Sequence, residues 1–235
     1  MVGFARALDH HPFTSSFLAA TVAWACACSR VSPTAEASAN PAGPKSAPSA
    51  VVASAAIGRA APDFELRDLD GRSVRLGQQR GKIVVLEWFN PECPFVRASH
   101  TKGSLKGLAE KSTQKGVVWL AINSAAKGKQ GYGIEANRAG IERYGMKHPV
   151  LLDETGEVGH SYEAKHTPHM YVIDTKGILV YRGAIDNSPD GEGESPTSGT
   201  LVNYVDAALA DLAAGRPVKT AETEAYGCSV KYASR

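Results

Sequence analysis

The chain has 235 residues, 26 Lys or Arg, 24 Asp or Glu and a formal net charge of +2. That length suits one domain with appendages, and the near-neutral charge gives no electrostatic basis for binding nucleic acid. Four cysteines are too few for a disulfide-dense scaffold. Residues 1–56 carry only five of the fifty charged side chains, so the chain divides into a sparsely charged amino-terminal part and a globular part.

The amino-terminal part contains an uncharged, mostly apolar run of twelve residues, 17–28. Twelve helical residues rise about 18 Å, which is short of the roughly 30 Å hydrocarbon core of a bilayer. The run therefore predicts a signal peptide over residues 1–25 rather than a membrane anchor. Cys26 follows a small-x-small pattern and resembles the lipidated cysteine of bacterial lipoproteins. Lipidation and simple cleavage both stay open, and either predicts a bacterial protein that is exported, as a periplasmic protein or a membrane-anchored lipoprotein. The alternative is an apolar, unstructured start in a cytosolic protein.

Composition predicts the division of the remaining chain. Residues 26–56 are rich in Ala, Pro and Ser and poor in large apolar side chains, which indicates a flexible tether. The folded domain is predicted over residues 57–215, and residues 216–235 form a carboxy-terminal tail that carries Cys228.

The folded part alternates between strand and helix patterns. An alternating segment over 63–69 and the turn Asp70-Gly71 predict a hairpin, and the unbroken apolar run 83–89 predicts a strand covered on both faces. The remaining patterns predict these elements, in chain order: a helix over 96–115, a strand over 117–122, a helix over 134–144, a strand over 149–152, a helix over 157–164, a hairpin of 170–173 with 178–181, and a helix over 201–214. This order predicts an α/β fold with a mixed central sheet flanked by helices and an N-terminal hairpin.

Cys93 stands directly after the strand 83–89, where the first helix is predicted to begin. Pro94 suits a first helical position, because the N–H that proline lacks has no helical partner there. Free backbone N–H groups and the positive end of the helix dipole stabilise a thiolate at such a position. The placement predicts a reactive cysteine, and the alternative is an inert buried one.

Three segments resemble known redox proteins. The first, FNPECPFVRAS (89–99), is similar to the active-site turn W-x-x-W-C-P-x-C-R of thioredoxin-like redoxins, with Cys93 at the nucleophile position. Segments 61–76 and 166–183 resemble the opening hairpin and the second signature of a related group. That group comprises the peroxiredoxin-related AhpC/TSA-type redoxins and the thiol-disulfide oxidoreductases. The resemblance implies a thioredoxin-like fold and thiol chemistry at Cys93.

The resemblance also implies a substrate groove. In it, Thr167-Pro168 carries a cis proline that faces the nucleophile, and the backbone at Thr167 pairs with a bound chain. The residues that the resemblance assigns to this groove are Phe89, Pro91, Pro94, Thr167, Pro168 and His169.

The active-site motif is incomplete. Val96 stands where a C-x-x-C redoxin has its second cysteine, and Leu86 and Asn90 occupy the Pro and Thr positions of the peroxiredoxin pattern. Cys228 is the other cysteine of the folded part. We therefore predict that Cys93 and Cys228 form a pair, in which Cys93 attacks the substrate and either Cys228 or an external thiol resolves the product. A permanent structural disulfide and two independent thiols are the alternatives.

Glu87 interrupts the apolar run six residues before Cys93. Burial in a strand predicts a raised carboxyl pKa and a role in moving the proton of a leaving thiolate. A glutamate that reaches solvent at the sheet end, or that binds a lysine, is the alternative.

His166 and His169 bracket the predicted cis proline. With Cys93 they supply ligands that suit copper or haem iron, and stabilisation of the thiolate by one of them is a second role that fits the pattern. Most histidines in such a pattern are polar loop residues, which is the favoured interpretation. The leading prediction is an exported thiol oxidoreductase that performs disulfide exchange or peroxide reduction, with an external redox partner and no cofactor or resident metal. The alternative is a non-enzymatic binding or metal-delivery module.

Overall fold

A computed structural model describes residues 54–234. The predicted signal peptide, most of the predicted tether and Cys26 lie outside the described residues. Five α-helices and nine strands follow in chain order, with a 3-10 helix over Leu76–Gln79 after the second strand: β1 Glu65–Asp68, β2 Ser73–Arg75, β3 Val84–Trp88, α1 Pro94–Thr101, α2 Leu108–Thr113, β4 Val118–Asn123, α3 Ile134–Tyr144, β5 Val150–Leu152, α4 Glu157–Ser161, β6 His166–Thr167, β7 His169–Ile173, β8 Leu179–Gly183, α5 Tyr204–Ala213 and β9 Cys228–Ser229. No helix among them is long and apolar enough to cross a membrane.

Seven of the strands form one mixed sheet in the order β2-β1-β5-β4-β3-β7-β8, and β6 pairs with β9 in a second, two-stranded sheet. Strand β3 runs parallel to β4 and antiparallel to β7, and β1 pairs antiparallel with β2 and with β5. The thioredoxin-like α/β architecture and the N-terminal hairpin expected from the sequence are therefore confirmed.

Strand β3 is the centre of the core, and all five of its residues are buried. Its side chains alternate between the two faces of the sheet. Val85 packs with residues of α2 and α5 on one face, whereas Leu86 and Trp88 pack with Tyr162 and Tyr171 on the other. Because both faces are covered, the strand reads as a continuous apolar run in the sequence.

The single helix predicted over 96–115 is wrong, since the structure has two helices, α1 and α2, with a turn between them. At Gly103 a Cβ would collide with the carbonyl oxygen of Gly191, so the chain passes this neighbour only without a side chain. Gly107 then adopts a φ of 71° at the start of α2. These two glycines interrupt the helical pattern that the flanking residues suggest.

Candidate functional site

A short turn at the carboxyl end of β3 positions Cys93. The side chain of Asn90 accepts a hydrogen bond from the Glu92 N–H at 2.9 Å, and its carbonyl accepts one from the Cys93 N–H at 3.1 Å. Pro94 occupies the first turn of α1, so Cys93 is the residue that caps this helix. The local sequence thus delivers the sulfur to the end of the central strand, as predicted.

The structure brings Cys93 and Cys228 together although 135 residues separate them. Their Sγ atoms lie 2.7 Å apart, and both cysteines are free thiols. The Cys93 thiol also donates to the carbonyl oxygen of Thr167 at 3.1 Å, and the Thr167–Pro168 peptide bond is cis. The two sulfurs and the cis proline therefore form one compact cluster, which we call the thiol cluster.

The carboxy-terminal tail delivers Cys228 to this cluster as a β-strand. Thr167 pairs with Cys228, and His166 pairs with Ser229, in an antiparallel register. Gly227 adopts a φ of 122°, and a Cβ there would collide with the carbonyl oxygen of Thr167. Only glycine permits this close approach.

Anchors on both sides of Cys228 hold the tail in place. Before it, the Tyr226 hydroxyl donates to the carboxylate of Asp186 at 2.7 Å. After it, the Val230 N–H donates to the Lys165 carbonyl at 3.0 Å, and the Tyr232 hydroxyl donates to the Ala164 carbonyl at 2.8 Å. The tail is therefore an integral part of the described fold.

The two sulfurs have different surroundings. Cys93 has no exposed surface, whereas Cys228 is half-buried. Burial raises the pKa of the Cys228 thiol to about 11, and the hydrogen bond and charge of Cys93 add to this. The backbone N–H of Phe95 in the first turn of α1 reaches Cys228 and opposes the rise. The sequence predicts that the N–H groups of the first helical turn lie at Cys93. In the structure one of these groups, the N–H of Phe95, lies at Cys228.

The predicted groove residues divide into two groups. Thr167, Pro168 and His169 are buried, and Thr167 is already paired with the tail. Phe89 is buried as well, and the carbonyl of Pro91 accepts a hydrogen bond from the Tyr144 hydroxyl at 2.6 Å. Pro94 is the exposed member of the six, and it lines a cleft of about 410 Å³ beside α1 with Phe95, Arg97, Asp190 and Glu192 among its walls.

Glu87 is fully buried and is bound by neither solvent nor lysine. Its carboxylate lies 2.7 Å from Nε2 of His100 and accepts a hydrogen bond from Nε1 of Trp119 at 3.1 Å. Desolvation raises the pKa of the Glu87 carboxyl, but the charges of His100 and His148 and the hydrogen bonds from His100 and Trp119 outweigh it and lower the pKa. The predicted direction of this shift is therefore wrong, because sequence reasoning did not foresee these partners.

The sequence indicates that Glu87 needs partners, but it does not identify them. A carboxylate buried in a central strand requires hydrogen-bonding or charged partners. His100 lies at the end of α1, and His148 lies just before β5 and packs against Trp119 at 5.9 Å between ring centroids. Neither histidine has metal-ligand spacing, so their role shows only once the sheet is assembled.

The histidines on either side of the cis proline contact a backbone carbonyl and a tyrosine hydroxyl rather than the two thiols. Nδ1 of His166 lies 3.2 Å from the Gly227 carbonyl, and Nδ1 of His169 lies 3.1 Å from the Tyr171 hydroxyl. Within residues 54–234, no three His, Cys, Asp or Glu side chains are grouped so as to hold a metal ion. The metal-delivery alternative thus stays a prediction without a ligand cluster in the described residues.

Two buried histidines predict a loss of stability in acid. Burial lowers the pKa of His148 to about 4 and that of His169 to about 3, from an ordinary value of 6.5. As the pH falls below 6.5, these two histidines therefore bind protons in the unfolded chain before they do so in the folded chain. We expect a loss of stability of about 3 kcal/mol from His148 and about 5 kcal/mol from His169 as the pH falls from 6.5 to the folded pKa.

Urea unfolding at a series of pH values measures this loss. The slope of unfolding free energy against pH should flatten in His148→Gln and in His169→Gln. It should persist in His160→Gln, which changes an exposed histidine. Equal slopes in all three variants would contradict the assignment.

Comparison with known proteins places these features in a wider group. Residues 57–182 match the model of the AhpC/TSA family. The thiol-disulfide oxidoreductase ResA of Geobacillus thermodenitrificans is 33% identical over 123 residues, which are 52% of this chain and 66% of ResA, just under two thirds. The thioredoxin-like protein YneN of Bacillus subtilis is 29% identical over 122 residues, 52% of this chain and 68% of YneN.

Solved structures agree over a larger part of the chain. A conserved protein from Geobacillus kaustophilus superposes with a TM-score of 0.66 and 34% identity, covering 77% of this chain and 94% of that one. A protein from Sinorhizobium meliloti gives a TM-score of 0.66 and 27% identity, covering 77% and 97%. The fold of this chain therefore recurs along nearly the whole length of both proteins.

Proposed function

Because the chain belongs to the AhpC/TSA family, we propose that it is a thiol-disulfide oxidoreductase whose redox-active pair is Cys93 and Cys228. The observation that carries the proposal is the 2.7 Å distance between the two Sγ atoms beside the cis proline. Thiol-disulfide exchange needs a second thiol to release the mixed disulfide. Val96 stands where a C-x-x-C redoxin has this second thiol, and Cys228 in the tail supplies the thiol instead.

The relatives support the same chemistry. ResA carries thiol-disulfide oxidoreductase in its name, and this chain shares a third of its residues over the aligned segment. The substrates are then disulfides or thiols of other proteins, with a separate protein as the source or acceptor of electrons. No cofactor enters this proposal, because the exchange itself moves two electrons between sulfurs.

A disulfide-mapping experiment tests the pair directly. The purified protein is oxidised, digested with trypsin without reduction, and analysed by mass spectrometry. We expect a linked pair of peptides, residues 83–97 with residues 220–231, which vanishes on reduction. Oxidised protein in which these two peptides are never joined would contradict the proposal.

Peroxide reduction is a second candidate, and the AhpC/TSA match favours it. A peroxide is small enough to reach a buried thiolate, which it would convert to a sulfenic acid that Cys228 then condenses to a disulfide. Consumption of hydrogen peroxide that is lost in Cys93→Ser would support this candidate. Exchange activity without peroxide consumption would eliminate it.

Export is also proposed, with Cys26 as the site of a lipid anchor. The support is the apolar run 17–28 followed by this cysteine. The mass of the mature protein from a bacterial membrane fraction tests it. A lipid-modified chain that begins at Cys26 is expected. An unmodified soluble chain would show that the signal peptide is cleaved without lipidation. An intact Met1 start would eliminate export by this signal.

A further inference from the structure

The buried position of Cys93 raises the question of how an external thiol reaches the pair. Cys93 has no exposed surface, and strand β9 lies against the Thr167 backbone, to which the family resemblance assigns the pairing with an incoming chain. Its neighbours Phe89 and Val96 belong to the same buried cluster. A protein thiol therefore meets the tail before it meets Cys93.

The tail is not arranged as a loosely held cover. Hydrogen bonds fix it before Cys228 through Thr223 and Tyr226 and after it through Val230 and Tyr232. Displacing it would break all of these hydrogen bonds together. The half-buried Cys228 is thus the sulfur of the pair that an external thiol meets with the tail in place.

We propose that Cys228, and not Cys93, is the sulfur at which external thiols enter and leave the redox pair. This inference rests on the proposed function and assigns the order of its steps. It differs from the sequence-based expectation that Cys93 attacks the substrate first, because the sequence did not show that the tail covers Cys93. Cys93 acts on the mixed disulfide held at Cys228 and stays inside the protein throughout.

The steps balance in sulfur, electrons and protons. A partner thiolate bonds to Sγ of Cys228, the Cys93–Cys228 bond breaks, and Cys93 leaves with the electron pair as a thiolate. The second thiolate of the partner then attacks the partner's own sulfur in the mixed disulfide, and Cys228 leaves. The partner has become a disulfide, and the chain has gained two electrons and two protons. The reverse sequence reduces a partner disulfide.

The leaving groups agree with this order. In exchange reactions the sulfur whose thiol has the lower pKa leaves faster. Burial and the neighbouring sulfur raise the pKa of Cys228, which slows the departure of Cys228 when Cys93 is attacked. Exposure and leaving-group preference thus direct an external thiol to the same atom.

A trapping experiment with full-length oxidised protein tests the entry point. The protein is mixed briefly with reduced glutathione, quenched with acid and digested. Glutathione is expected on the peptide of residues 220–231 at least about tenfold more often than on residues 83–97, since access selects the sulfur that is attacked. Equal labelling, or an excess on residues 83–97, would overturn the inference.

Two glycine variants test whether the tail causes the preference. Gly227→Val should separate β9 from β6 and bring the labelling ratio close to one, because a side chain there collides with Thr167. Gly215→Val is the matched control, since Gly215 also has a positive φ of 67° but no atom within 4 Å of a Cβ. A ratio unchanged in Gly227→Val would show that the tail does not shield Cys93.

Single-cysteine variants separate this inference from the proposed function. If wild-type protein never forms the Cys93–Cys228 disulfide, the proposed function fails. Oxidised glutathione added to Cys93→Ser and Cys228→Ser, with each rate corrected for the ionised fraction of the remaining thiol measured in the same variant, still measures access. The inference requires faster adduct formation on Cys228 in the first variant than on Cys93 in the second, and the opposite order contradicts it.

Discussion

Replacing either Cys93 or Cys228 with serine is expected to reduce disulfide exchange with a protein substrate to at most about 1% of the wild-type rate. The cycle passes two electrons through two sulfurs, so one sulfur alone stops at the mixed disulfide. The 2.7 Å contact between the sulfurs is the physical basis of this requirement. Turbidity of insulin during its reduction, with dithiothreitol as electron source, measures the rate.

The two serine variants should fail in different ways. Cys93→Ser retains the half-buried thiol and should accumulate a stable mixed disulfide, whereas Cys228→Ser should accumulate little. The matched control replaces Cys26 and Cys28 with serine, which leaves the described domain unchanged and should leave exchange at the wild-type rate. Activity that survives in Cys93→Ser would disprove the proposed mechanism.

Replacing Glu87 with alanine is expected to destabilise the domain by about 3–5 kcal/mol. The carboxylate is fully buried and holds both His100 and Trp119, so its removal leaves two buried polar groups without their partner. The midpoint of urea unfolding measures the loss. Glu65→Ala is the matched control, because it removes an exposed strand glutamate and should cost little.

The glutamine variant of Glu87 tests the proton-transfer role predicted from the sequence. An amide of nearly the same shape cannot carry a proton, so a catalytic carboxyl would change the pH profile of exchange. We expect the wild-type profile, because the hydrogen bonds of the carboxylate go to His100 and Trp119. A profile that shifts in Glu87→Gln and not in Glu65→Gln would restore the catalytic role.

The sequence predicted the fold where local patterns and packing agree. The apolar run of β3, the Asp70-Gly71 turn and the helix over Ile134–Tyr144 all appear in the structure as expected. The split between α1 and α2 was missed, because it depends on Gly103 meeting Gly191, a residue 88 positions further along the chain. Such contacts have no local signature.

The same limit applied to the candidate site. The position of Cys93 was predictable from its strand-to-helix junction, and the cis proline from a motif resemblance. The pairing of Cys228 with Thr167 was not, because a two-residue strand has too little pattern to identify. Gly227 is the residue of the tail that this pairing requires, since its close contact with the Thr167 carbonyl explains why glycine precedes the cysteine.

The anchoring of the tail has a consequence for the equilibrium between thiols and disulfide. In an unfolded chain two groups 135 residues apart rarely meet, so the folded tail sets the effective concentration of one thiol at the other. Weakening an anchor of the tail, such as the hydrogen bond between Tyr226 and Asp186, lowers that concentration without changing either cysteine. The ease with which the disulfide is reduced is therefore adjustable from the tail, at residues other than the two cysteines.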